Sequence, residues 1–181
     1  MNRIINYYNY LIQIKLLYKL HYINVLMFPK LSRIILHLTM PISQRNLQNI
    51  LPTLLILELI SGQKAVLLYT KKANAIFKLK KNKPISCKVT LRNINMYSFL
   101  DKFLLLNLPQ IRDFQGLSTQ TLIQAGRCSL GVNTLSLFPE LQASLSKFNL
   151  KSGLDIHFVT TAKTRLETYL FLSSLGLPFK V

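Results

Sequence analysis

Between Leu59 and Leu100 the chain contains no Asp or Glu, yet it carries Lys64, Lys71, Lys72, Lys78, Lys80, Lys81, Lys83, Lys88 and Arg92. Cations this dense cannot be buried without partners and repel one another in the open. Any fold must therefore set them on a surface or in a loop, with the apolar residues between them turned inward. Across the chain 23 basic residues stand against 6 acidic ones, a net charge of +17, opposed only by Glu58, Asp101, Asp113, Glu140, Asp155 and Glu167. A lysine-rich face solvated by water is the plain alternative. The scale of the imbalance favours a polyanionic partner, and nucleic acid supplies one.

Length and hydrophobicity point to a folded chain. At 181 residues it suits a single domain able to bury a core without metal or disulfide staples, and its 50% hydrophobic content offsets ordering entropy. Cys87 and Cys128 are solitary and lack a second Cys or His at ligand spacing, so no metal site is expected and both read as small buried hydrophobes. His21, His37 and His157 are scattered, and six carboxylates leave acid/base chemistry few candidates, so neither an enzyme nor a cofactor is expected. Lys15, Lys19, Pro52 and Glu58 interrupt the apolar stretches before any reaches the roughly 20 residues a spanning helix needs, which argues against membrane insertion. Residues 1–29 hold one Arg and no Ser, unlike a mitochondrial presequence, and read as part of the fold. The wealth of Ile, Leu, Asn, Lys and Tyr matches the codon bias of an AT-rich, organelle-encoded gene.

Periodicity sketches the elements. Ile4, Tyr7, Tyr8, Leu11, Ile14 and Tyr18 predict one apolar face of an amphipathic helix over 4–20. A strand over 31–38 puts Arg33 and His37 on one face. Ser43 is a candidate N-cap for a helix with apolar positions Leu47, Ile50, Leu51, Leu54 and Leu57, ending at Gly62 and kinked or broken by Pro52. Ala65–Thr70 and Cys87–Arg92 read as strands flanking a basic loop, with Lys88, Thr90 and Arg92 opposite Cys87, Val89 and Leu91. Met96, Phe99, Leu100, Phe103 and Leu104 mark a helix over about 95–107, stopped by Pro109. Residues 110–134 read as loop and short strand, and Leu154 to Val159 alternates as a strand. A capping box, Thr164 with Glu167, opens a last helix with Leu166, Tyr169, Leu170 and Ser173, stopped by Gly176 with Pro178 beyond. Strands and helices mix without regular alternation, so the expected class is α+β: an antiparallel sheet with helices on one face and a long basic hairpin loop.

Four blocks carry a more specific signal: Leu59-Ile60-Ser61-Gly62-Gln63-Lys64, Pro84 through Arg92, Leu108-Pro109-Gln110-Ile111-Arg112-Asp113-Phe114-Gln115-Gly116-Leu117-Ser118, and Gly153-Leu154-Asp155-Ile156 through Thr160-Thr161-Ala162-Lys163. Ser129-Leu130-Gly131-Val132, Phe138-Pro139-Glu140 and Gly176 through Lys180 extend them. In this order they resemble the bacterial-type large-subunit ribosomal protein L-five family, 5S rRNA binders of the central protuberance, over essentially the whole chain.

That resemblance implies one domain over 1–181, with an N-terminal helix region at 1–30 and a protruding basic loop at 71–84. It implies a concave sheet surface holding 5S rRNA, matched by position at Gln63, Thr90 and Arg92, with Arg33, His37, Lys64 and Lys88 completing the candidate set. A guanidinium suits phosphate, while amides and hydroxyls suit ribose and base edges. Lys71, Lys72, Lys78, Lys80, Lys81 and Lys83 match the loop reaching toward peptidyl-site tRNA and neighbouring large-subunit rRNA. Arg112 is a candidate rRNA or intersubunit contact near a protein of the small-subunit head. No homo-oligomer is implied. The chain departs from the family pattern at His37, which stands for an Asn, at Gln110 and Gln115, which stand for Arg, and over Leu141–Leu150, where acidic residues are lost; an altered intersubunit bridge is the expectation. A mitochondrial ribosome is the expected location, ahead of a plastid. The alternative from another class is a basic peripheral membrane or assembly factor, which would need an exposed apolar face on the N-terminal helix to lie on anionic lipid.

Overall fold

Alternation decides the strands. In the computed structural model, which describes residues 3–22, 24–40, 50–76, 79–111, 114–142 and 153–180, Cys87, Val89 and Leu91 are buried while Lys88 is exposed and Thr90 half-buried. The strands are β1 (Leu31–Thr39), β2 (Val66–Tyr69), β3 (Pro84–Leu91), β4 (Leu117–Ser118), β5 (Ile123–Gln124), β6 (Arg127–Val132), β7 (Leu154–Thr160) and β8 (Phe179–Lys180). Six of them form one sheet in the order β2-β3-β1-β7-β6-β5, antiparallel where β2 meets β3 and β5 meets β6. β4 and β8 pair separately and in parallel. The class is the expected α+β. The chain divides into two compact units: Met1–Ile34, Arg92–Leu130 and His157–Val181 in the first, Ile35–Leu91 and Gly131–Ile156 in the second.

In the first unit the N-terminal helix forms as expected but turns a different face inward. α1 (Arg3–Tyr7) runs through a π-helical turn (Tyr8–Ile12) into α2 (Gln13–Leu20), ending where His21 takes a left-handed φ of 48°. The wider turn stretches the local period beyond 3.6, so Ile4, Tyr8, Ile12 and Leu16, four apart, line the core. Leu11, Ile14 and Tyr18, expected inside, are exposed together with Tyr10 and Leu17. Tyr8 meets Phe171 edge-on at 6.1 Å and donates its hydroxyl to the Pro29 carbonyl at 3.2 Å. Arg3 pairs with Asp101 at 2.6 Å, tying α1 to α4 (Asn93–Lys102). A second π-helical turn (Phe103–Asn107) extends α4, and Phe103 packs on Phe158 of β7 at 6.3 Å. Pro109 lies within a further 3-10 turn (Leu108–Gln110) instead of stopping the helix before it.

The stretch 110–134 is more ordered than its sequence suggests. It holds β4, a short helix α5 (Thr119–Leu122) and the β5–β6 hairpin, whose two-residue turn ends at Gly126 with a φ of +71°. α6 (Arg165–Ser174) opens with the expected capping box, Thr164 Oγ1 accepting from Glu167 N–H at 3.2 Å. Its inward residues are Thr168, Phe171 and Leu172, while Leu166 is exposed, contrary to the sequence pattern. Thr168 is buried but satisfied: its hydroxyl donates to the Thr164 carbonyl at 2.8 Å and accepts from Gly126 N–H at 2.9 Å. A Cβ on Gly126 would lie 2.8 Å from the Ala162 carbonyl oxygen, in a backbone region side chains avoid. Gly126→Ala is therefore expected to destabilise the protein by about 2 kcal/mol, read as a lowered midpoint in urea.

In the second unit α3 (Ile50–Ser61) packs on β3. Pro52 lies within the described helix, which runs unbroken from there to Ser61. The buried face is Ile50, Thr53, Ile56, Leu57 and Ile60; Leu51, expected inside, is exposed. The expected Ser43 cap and Leu47 lie outside the described residues. Thr53 Oγ1 sits 3.5 Å from Cys87 Sγ. Both cysteines are buried free thiols; burial raises the Cys87 pKa and pushes that of Cys128 up to about 11, so neither is a nucleophile at neutral pH.

Candidate nucleic-acid interface

The two faces of the strands differ in chemistry. In the second unit Leu36, Leu38, Cys87, Val89, Leu91, Val132 and Ile156 are buried on one side. The opposite side carries His37, Thr39, Lys88, Thr90, Gly131 and Asp155, half-buried or exposed. Lys88 stands across from Val66 on the edge strand β2. Lys88 and Thr90 make no side-chain hydrogen bond or ion pair among the described residues, so ammonium and hydroxyl remain available to a ligand. His37 Nδ1 lies 3.5 Å from both Asp155 Oδ2 and Thr39 Oγ1.

Gln63 and Lys64 follow α3 at a tight turn. Gly62, with a φ of +65°, donates its N–H to the Glu58 carbonyl at 2.8 Å, and Glu58 Oε1 accepts the Ala65 N–H at 3.1 Å. The Ser61 hydroxyl accepts from Gln63 N–H and donates to its carbonyl. These bonds use only backbone atoms of Gln63. Its amide, like the exposed Lys64 ammonium, has no partner among the described residues.

The described residues of the basic loop in the same unit are held by a hydrogen-bonded frame. Thr70, buried at its base, donates its N–H to the Lys83 carbonyl at 2.9 Å and accepts the Lys83 N–H on its hydroxyl at 2.9 Å. The same hydroxyl donates to the Lys80 carbonyl at 2.5 Å. Asn74 and Leu79 exchange backbone bonds at 3.0 and 2.8 Å, and Asn82 takes a left-handed φ of 59°. Lys71, Lys72, Lys80, Lys81 and Lys83 project exposed from this frame. Lys78 lies outside the described residues.

In the first unit the comparable side of the strands carries Arg33, Arg127, Ser129 and His157, the last two bonded at 2.9 Å. Arg33 Nε is buried without an acceptor among the described residues. Arg92 is exposed on extended backbone, with φ −138° and ψ 162°, at the start of α4. Arg112 lies outside the described residues. Sequence reasoning missed Arg127, Ser129, Gly131 and Asp155. The signal for the first three was the strict alternation Arg127-Cys128-Ser129-Leu130-Gly131-Val132, blurred by glycines in a stretch that read only as loop and short strand.

Comparison with known proteins meets this geometry. A model of the C-terminus of the ribosomal L-five family matches residues 84–179. Large ribosomal subunit protein uL5m of Reclinomonas americana is 40% identical over 178 residues, 98% of each chain. The uL5 protein of Clostridium tetani (strain Massachusetts / E88) is 40% identical over 164 residues, 91% of this chain and 90% of that one. The uL5c protein of Euglena gracilis is 39% identical over 180 residues, 99% of each. Organellar forms matched from end to end support an organelle ribosome. Strands that carry basic side chains opposite their buried side, two buried thiols and a similarity that covers 98% of the chain lead to one assignment: the protein belongs to the ribosomal L-five (uL5) family, structural and non-enzymatic components of the large ribosomal subunit.

Proposed function

We propose that this protein holds 5S rRNA against the basic side of its strands, anchors it to large-subunit rRNA, and extends the Lys71–Lys83 loop toward peptidyl-site tRNA. Gln63, Thr90 and Arg92, with Arg33, His37, Lys64 and Lys88, are the proposed 5S contacts. Arg112 is proposed at a large-subunit rRNA or small-subunit-head contact. Codon-biased composition and the full-length match to uL5m favour the mitochondrial ribosome. The observation that carries the reading is a set of cations and hydroxyls on strands whose other side is core, the lysines and arginines there paired with no acid among the described residues. Phosphate contacts give affinity, while the amide and hydroxyls select ribose and base edges.

The exposed stripe of Tyr10, Leu11, Ile14, Leu17 and Tyr18 beside Lys15 and Lys19 favours a second reading, a basic peripheral membrane or assembly factor whose helix lies on anionic lipid. Among the described residues no helix is long and apolar enough to cross a membrane. Sedimentation separates the readings. The ribosomal protein is expected to stay with large subunits through a high-salt wash and to bring down 5S rRNA. Flotation with anionic vesicles and loss from the washed subunits would support the lipid reading instead.

A further inference from the structure

Asp155 is out of place on a nucleic-acid surface. In a chain of net +17 the other described acids are engaged: Glu58 holds the Ala65 N–H, Asp101 pairs with Arg3, Glu167 caps α6, and Glu140 has a partner of its own. Asp155 projects from β7 with its side chain half exposed, and among the described residues it has no Lys or Arg partner. Among the described residues its ion-pair partner is His37 on the adjacent strand β1, which faces Oδ2 at 3.5 Å. Beside the other oxygen, Oδ1, the strand β6 carries Gly131. A Cβ there would lie 3.7 Å from Oδ1, so the missing side chain leaves that oxygen open to approach.

A carboxylate between cations cannot accept a phosphate and repels any RNA register that sets backbone beside it. It is favourable only where the ligand offers a hydrogen-bond donor. RNA has two kinds: base amino or imino groups, and the ribose 2′-hydroxyl. We propose that Asp155, oriented by His37 and reached across Gly131, is a specificity-determining residue that accepts one such donor from the bound RNA through Oδ1. The inference rests on the 5S rRNA reading above. It adds discrimination to a surface whose lysines supply attraction alone.

The test compares affinities for 5S rRNA and for an unrelated structured RNA of equal length at one salt concentration. Asp155→Ala is expected to lower the ratio about tenfold, the usual loss for one hydrogen bond to a charged group, while binding of the unrelated RNA holds or rises. Gly131→Thr keeps the carboxylate but blocks the approach to Oδ1, and is expected to lower the ratio similarly. Thermal melts confirm that both variants fold. In wild type, 2′-deoxy substitution should reproduce the loss if the donor is ribose, and inosine for guanosine if it is a guanine amino group. A ratio unchanged in both folded variants overturns the role of Asp155 while leaving the 5S reading intact. A wild-type protein with no preference for 5S rRNA overturns both.

Discussion

Replacing Thr90 and Arg92 together by Ala is expected to weaken 5S rRNA binding about a hundredfold and to leave the fold intact. A hydrogen bond to a neutral hydroxyl contributes about 0.5 to 1.5 kcal/mol and one to a charged group about 1.5 to 3 kcal/mol, so losing both costs near 3 kcal/mol. Stability should hold because neither side chain is bonded within the protein among the described residues. Arg92 serves α4 through its carbonyl, which accepts the Met96 N–H at 3.4 Å and is kept by Ala. Extended backbone at φ −138° suits Ala as well as Arg. The measurement is a binding isotherm with purified 5S rRNA, beside a urea melt of each protein. Equal affinity in a folded double variant would remove these residues from the interface.

What the sequence disclosed depended on how far each local signal reaches. The Thr164–Glu167 capping box and the alternation of Leu154, Ile156 and Phe158 are carried by neighbouring residues alone, and both appear as read. Helix faces are different. The position of Leu11 or Ile14 follows from a period of 3.6 only if the helix keeps that period, and the π-helical turn at Tyr8–Ile12 does not. Tertiary packing chose Ile12 and Leu16 over equally apolar neighbours, as it chose Thr53 over Leu51 in α3. Over 110–134 the sequence read as loop and short strand without placing the β5–β6 hairpin, because Gly126 and Gly131 blur its bounds, although one supplies a left-handed turn and the other a gap on a strand. Among candidate site residues, Lys88 and Thr90 were legible from period two. Asp155 was not: its sign opposed the charge argument, and its meaning depends on neighbours from two other strands.

The largest expected effect lies in the basic loop. Converting Lys71, Lys72, Lys80, Lys81 and Lys83 to Gln should flatten the salt dependence of tRNA binding by about 3.5 to 4.5 in the slope of log K against log salt, if each lysine neutralises one phosphate. Near physiological salt that corresponds to a loss of roughly three orders of magnitude in affinity, because counterion release rather than fitted contacts supplies the attraction. The frame should survive the change. Its bonds run from Thr70 to the backbone of Lys80 and Lys83 and between Asn74 and Leu79, and none uses a lysine side chain. Gln keeps the length and polarity of the side chains, so the variant isolates charge. Arginine replacements should restore the slope, since the effect counts cations and not their shape. Titrations of the purified protein with tRNA across a salt series give the slope directly. A slope that stays put in the Gln variant would show that these ammonium groups face water when RNA is bound, and the tRNA contact would have to be sought elsewhere on the protein.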